Sequence, residues 1–165
     1  AKQANADIFY MSLQGFSPAA LMTLQAKRLG LQSQIVTQDA VFQPKFMEVA
    51  KEAANGVYLT YGFTDTTTPE YKAFEKIYVP KYGAIAAYAT YAYDAATVLL
   101  QAIKTAGSTD PAKIKAEIMK MDFNGVAKHI KFKPNGDSGS SYIAYKIENG
   151  QFVPYWAPEK GLLQK

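Results

Sequence analysis

Across the first 83 residues, three short runs of aromatic, aliphatic and β-branched residues alternate with longer stretches of helical periodicity, and this alternation limits the fold more than any other feature. Ile8-Phe9-Tyr10-Met11 suits a buried strand, Ile35-Val36-Thr37 a second, and Val57-Tyr58-Leu59-Thr60-Tyr61 a third. Between the first two, Leu21, Leu24 and Arg28 with Met22, Ala26 and Leu29 trace a helix. Ser17 is placed to cap it, Pro18 fits its first position, and Gly30 fits a left-handed end. A second helix is expected over about Gln43 to Ala54, closed by Asn55-Gly56. After the polar loop Thr64 to Thr68, Pro69 opens a third, with Phe74, Ile77 and Tyr78 on one face. Strand–helix–strand order of this kind specifies an α/β fold with a parallel sheet flanked by helices.

The chain changes character after Gly83. Ala84 to Ala106 is rich in alanine and tyrosine with only Asp94 and Lys104 charged, which predicts a helix buried on most sides and capped by Gly107. Ser108-Thr109-Asp110-Pro111 signals the start of another, reaching about Met121. Ile130 to Phe132 alternates in the strand sense, and Asn135-Gly136 is a turn. Tyr142 to Ile147 and Gln151 to Trp156, joined at Asn149-Gly150, read as paired strands. Ala1 to Asn5 resembles the tail of a helix rather than a beginning.

Composition removes several classes of function. With 165 residues, 48% apolar and 19% charged, the chain has enough material for one ordinary core and does not have the composition of a disordered protein. No apolar run approaches the ~20 residues that span a bilayer, so stable membrane insertion is not expected. The absence of cysteine excludes thiol catalysis and thiolate metal sites, and the single His129 excludes multi-histidine zinc sites. The net charge of +4 is carried by dispersed lysines with Arg28 the only arginine, a solvated surface rather than a nucleic-acid interface. The N-terminus has neither the charged region nor the apolar stretch of a secretory signal, as in a mature or truncated chain.

Candidate residues each carry two readings. Asp39 lies just past a strand, where open α/β sheets place ligands, but its pattern also suits a helix cap. Gln14-Gly15-Phe16 also follows a strand, and is either a ligand loop with an aromatic wall or a plain turn. Tyr88, Tyr91 and Tyr93 have helical spacing and fit a core. Asp94 in its apolar helix must find a hydrogen-bond partner, which favours a structural role. His129, flanked by Lys128 and Lys131, is a surface or packing residue before it is a catalyst. No nucleophile elbow, phosphate loop, dinucleotide fingerprint or calcium loop is present, so no motif supports an enzyme.

The ordered blocks Ala6-Asp7-Ile8-Phe9-Tyr10, Gln25-Ala26-Lys27-Arg28-Leu29-Gly30-Leu31, Ala53-Ala54-Asn55-Gly56-Val57-Tyr58 and Tyr91-Ala92-Tyr93-Asp94-Ala95 together resemble the leucine/isoleucine/valine-binding family. These are type I periplasmic solute-binding proteins of ABC transporters. Ala106 to Pro111, Asp122-Phe123-Asn124-Gly125-Val126 and Phe132 to Asp137 continue the series in order. The resemblance covers the C-terminal half of such a protein. It implies two Rossmann-like lobes with the solute in the cleft between them. Residues 1–84 would be the later part of the second lobe, and 85–165 the crossover and closing part of the first.

The resemblance also assigns roles. Asp39 stands where amino-acid-binding members place the acid that pairs with the ligand's α-ammonium, usually a glutamate. Gln14-Gly15-Phe16 matches a cleft loop that often holds a Gly-Tyr pair, so Phe16 keeps the aromatic and loses the hydroxyl. Tyr88 falls near the crossover, facing the cleft. The implied function is capture of a branched-chain or related amino acid by lobe closure and delivery to a membrane permease, with no cofactor and no catalysis. The implied location is the periplasm, or the outer surface of a Gram-positive cell through a lipid anchor. Alternatives are the same fold binding an aromatic or aliphatic carboxylate or an amide, and a free-standing α/β interaction domain or hydrolase.

Overall fold

The structure, a computed structural model, describes residues 2–139, 141–158 and 160–163. Two compact units are distinguished, residues 1–62 with 141–165, and residues 63–140. The lobe boundary near residue 84 that the resemblance implies falls inside the second of these.

The first unit is built on strands β1 (Ile8–Met11), β2 (Gln34–Thr37) and β3 (Tyr58–Gly62), which run parallel with Met11 opposite Thr37 and Thr37 opposite Leu59. Helix α1 (Phe16–Arg28) joins β1 to β2, and α2 (Pro44–Ala50) precedes β3, so the expected βαβ order is present. The expected helix from Gln43 to Ala54 is broken after Ala50. A 3-10 turn over Lys51–Ala54 tightens the chain so that Ala54 stays buried and the Gly56 N–H reaches the Ile147 carbonyl at 2.8 Å.

Helix α1 begins two residues earlier than Ser17 and Pro18 suggest. Gly15 occupies the cap position and Pro18 the third helical position, where its missing N–H still has no intrahelical acceptor to lose. The face of α1 turned to the core is Ala19, Ala20, Thr23 and Ala26, and these small residues let the helix lie close on the sheet. The core around them is Met11, Val41, Phe46, Val57, Leu59 and Ile147, all at 2% exposure or less.

One expectation is corrected at β1. This strand lies at the sheet edge and is buried on one side only, with Ile8 and Tyr10 more than half exposed while Met11 enters the core. The later strands β6 (Tyr142–Glu148), β7 (Gln151–Ala157) and β8 (Gly161–Leu162) pair antiparallel and extend the same sheet in the order β1-β2-β3-β6-β7-β8. The join is β3 against β6, with Leu59 opposite Tyr145.

The second unit contains α3 (Pro69–Tyr82), α4 (Ala89–Ala106), α5 (Pro111–Ile118) and a small hairpin of β4 (Asp122–Asn124) and β5 (His129–Lys131). Thr68 and Asp110 cap α3 and α5 by accepting the N–H groups of Tyr71 and Lys113. Helix α4 starts at Ala89 rather than Ala84, because Tyr88 takes a left-handed conformation at φ 68° that a helix cannot contain. Its burial is also narrower than expected. Only Thr90, Asp94, Val98 and Ala102 are buried, a single row at four-residue spacing.

Candidate functional site

Parallel pairing puts the carboxyl ends of β1 and β2 side by side, and each runs directly into one of the loops singled out from the sequence. After β1 come Ser12, Leu13 and then Gln14-Gly15-Phe16. Gln14 is exposed. Gly15, at φ 94° and ψ 151°, has a backbone closed to other residues, and this turns the chain straight into α1. Phe16 is half-buried and packs its ring against the core, so only part of it is available as a wall.

After β2, Asp39 opens a 3-10 turn over Asp39–Val41. The cap position belongs to Gln38, and no side chain bonds the turn's free N–H groups, so the reading of Asp39 as a cap is not what forms. Asp39 is half-buried, and among the described residues its carboxylate makes no hydrogen bond or ion pair. The turn that carries it is firmly held. Val41 is fully buried, and Phe42 stacks on Tyr61 with centroids 4.2 Å apart and planes at 13°. Tyr145 and Phe152 close on Phe42 at 4.8 and 4.5 Å. This aromatic anchor, drawn from β3, β6 and β7, joins residues too distant in the chain for local spacing to reveal.

The two loops are tied to each other. Thr37 Oγ1 donates to the Met11 carbonyl at 2.9 Å, and Gln38 Nε2 donates to the Leu13 carbonyl at 2.8 Å. Ser12 Oγ donates to Gln38 Oε1 at 3.3 Å. Asp39 and the loop of Gln14, Gly15 and Phe16 therefore belong to one linked pair of strand ends. Tyr88 belongs to the second unit, where it is exposed and accepts the Ala92 N–H at 2.8 Å as the residue before α4. It is not the core residue that helical spacing suggests.

The second unit holds the other singled-out groups. Asp94 is 4% exposed, and its two oxygens accept the N–H groups of Val126 at 2.7 Å and Ala127 at 2.8 Å. That is the structural role its sequence setting predicts. Nearby lies a depression of about 400 Å³ lined by Tyr91, Val98, Leu99, Ile118 and Phe132 with Asp94 and Lys128. Lys128 is occupied by Ser138 Oγ at 2.7 Å and by the Gly139 carbonyl, so the depression offers mostly hydrocarbon.

His129 lies exposed on β5, its ring nitrogens 2.8 Å from Asn124 Oδ1 and 2.9 Å from Asp122 Oδ1. Lys131 donates to Asp122 at 2.6 Å and, with His129, holds that carboxyl below its ordinary range. The imidazole is thus a strut of a surface hairpin. No group of three or more metal-ligating side chains occurs among the described residues. None of the helices described is long and apolar enough to cross a membrane.

Comparison with known proteins gives this geometry its setting. A family model described as periplasmic binding protein matches residues 1–151. The chain is 33% identical over 157 residues to "Leu/Ile/Val-binding protein homolog 1" of Brucella abortus, covering 90% of this chain and 40% of that relative. Among solved structures, a leucine binding protein LivK from Thermotoga maritima superposes with a TM-score of 0.82 at 33% identity, over 95% of this chain and 46% of that one. LivJ of Streptococcus pneumoniae, a branched-chain amino acid transporter substrate binding protein solved with isoleucine, gives 0.74 at 26% identity, over 88% and 42%.

The fold is that of the type I periplasmic binding proteins, and the chain belongs to the periplasmic binding protein family. Its relatives are the Leu/Ile/Val-binding homologues, and it spans less than half the length of those it matches.

Proposed function

We propose that this chain is part of the solute-binding component of an ABC importer, which captures a branched-chain or related amino acid and delivers it to a membrane permease. The observation that carries the reading is Asp39: a half-buried carboxylate, on a rigid turn at a strand's carboxyl end, with no protein partner among the described residues. A carboxylate so placed is ready for an ammonium group, and a charge-assisted hydrogen bond in a site screened from water is strong. The names of the relatives, and isoleucine in the Streptococcus structure, support an amino acid as the ligand.

In this reading Gly15 lets the ligand approach the backbone, Phe16 supplies apolar surface and Gln14 borders the loop. Tyr88 is assigned to the site by resemblance alone. Capture makes and breaks no covalent bond, and the protein works outside the cytoplasmic membrane, in the periplasm or anchored by lipid at a cell surface. The test is calorimetric titration of L-leucine, L-isoleucine and L-valine into the complete protein and its Asp39→Asn variant. Loss of one charge-assisted bond is expected to weaken binding by roughly 10- to 100-fold. Unchanged affinity would remove the ammonium role. Equal binding of the deaminated acids would move the ligand to the aliphatic or aromatic carboxylates.

A further inference from the structure

We propose that Gln38 is a positioning residue for this site: its side-chain amide holds the loop of Gln14 to Phe16 in fixed register with Asp39. The proposal rests on the reading of Asp39 as the ammonium partner. The backbone ladder between β1 and β2 ends where Met11 meets Thr37. Beyond that point side chains take over the tie, Thr37 to the Met11 carbonyl and Gln38 to the Leu13 carbonyl.

The orientation of the Gln38 amide is not free. The Leu13 carbonyl can only accept, so Nε2 must face it; the reverse orientation would set two oxygens against each other. Oε1 is then left to receive the Ser12 hydroxyl. One amide thereby grips both residues that lead into Gln14 and itself directly precedes Asp39. Asp39 has its own anchors in Val41 and Phe42, whereas among the described residues no other side-chain bond joins residues 12–15 to the β2 end. Without the amide, the loop could drift from Asp39 while the rest of the core stayed intact.

The experiment uses the complete protein that carries this chain. Gln38→Leu, Asp39→Asn and the double variant are titrated with L-leucine, L-isoleucine and L-valine, and backbone amide order parameters are measured by NMR relaxation without ligand. Gln38→Leu is expected to raise Kd roughly five- to tenfold, the size of one neutral hydrogen bond, mostly through faster dissociation. In the Asp39→Asn background the Gln38 effect should shrink to within about twofold, because both changes act through the same contact. Backbone order parameters at residues 13–16 should fall while those of the Phe46–Ala50 segment stay unchanged. Ser12→Ala, at an exposed position, should produce a smaller fall at the same residues and serves if Gln38→Leu does not fold.

Unchanged order parameters at 13–16 overturn the proposal, and so does a Gln38 penalty undiminished by Asp39→Asn. If the wild type binds none of the twenty amino acids, the ammonium reading fails on its own. Order parameters at 13–16 then decide the clamp: lowered values sustain it and unchanged ones end it.

Discussion

Gly125 has to be glycine because of Asp94. A Cβ built at Gly125 would lie 2.5 Å from Asp94 Oδ2 and 2.8 Å from the Lys128 carbonyl, closer than any real carbon tolerates. Gly125→Ala must therefore displace a buried carboxylate from its two donors or distort the turn between β4 and β5. We expect a loss of about 2–4 kcal/mol, combining overpacking with a weakened buried hydrogen bond, measured by urea unfolding. A loss under about 0.5 kcal/mol would mean the turn relaxes freely. The sequence did show that Asp94 needs partners, since an acid in so apolar a helix cannot stay unbonded. It could not show which, because the donors lie 32 and 33 residues further on. Asp39 was legible in the same partial way: its place after a strand is a local signal, while its freedom from partners is not. Gln38 gave no signal at all, since a glutamine amide is useful in any surroundings that supply one donor and one acceptor.

At the level of elements, existence and order were easier to read than ends. The three parallel strands and the helices α1, α3, α4 and α5 follow from periodicity and from Pro, Asp and Gly at their borders. Their starts moved where a backbone angle overrode the pattern, at Gly15 before α1 and Tyr88 before α4. The β6–β7 hairpin was visible as alternation, but alternation does not say whose edge a hairpin will join. Its docking on β3 creates a titratable neighbourhood. Tyr58 lies edge-on to Tyr155 with centroids 4.9 Å apart, and Lys146 Nζ is 5.8 Å from its ring centre. Burial first, and then the hydrogen bond with Tyr155, push the Tyr58 phenol above its ordinary value, against an opposing pull from Lys146. The fold therefore favours the neutral phenol. That stabilisation is complete below the unfolded value near 10 and is lost as pH rises through the higher folded one. In an ultraviolet titration, Tyr58→Phe should remove one late-ionising phenolate, leaving Tyr71, which is also raised by burial and by Glu75. A high-pH limb identical to wild type would contradict this.

For the molecule as a whole, block order carried the assignment. Individually the blocks around Asn55-Gly56 or Asn135-Gly136 are ordinary turns, but their succession along the chain belongs to one family, and the match over residues 1–151 bears this out. The sheet differs from a purely parallel one. Two parallel pairings among β1, β2 and β3 meet three antiparallel pairings from the returning hairpin and β8. Strands buried on both faces read as continuous apolar runs, and on that basis Ile8 to Met11 looked fully internal. Its two exposed side chains show that composition reports what a strand could bury, whereas position in the sheet decides what it does bury.

The paired N–H groups of Val126 and Ala127 form a small anion cradle that the protein fills with its own carboxylate. Cutting Asp94 back to glycine would leave that cradle empty and able to take a carboxylate from solution. Formate, which reproduces the lost carboxylate and leaves room for the missing methylene, should then act as a chemical rescue agent. The Asp94→Gly variant should gain melting temperature with formate concentration along a saturable curve, while wild type and Asp94→Asn do not respond to it. A response shared equally by all three would reduce the effect to ordinary salt.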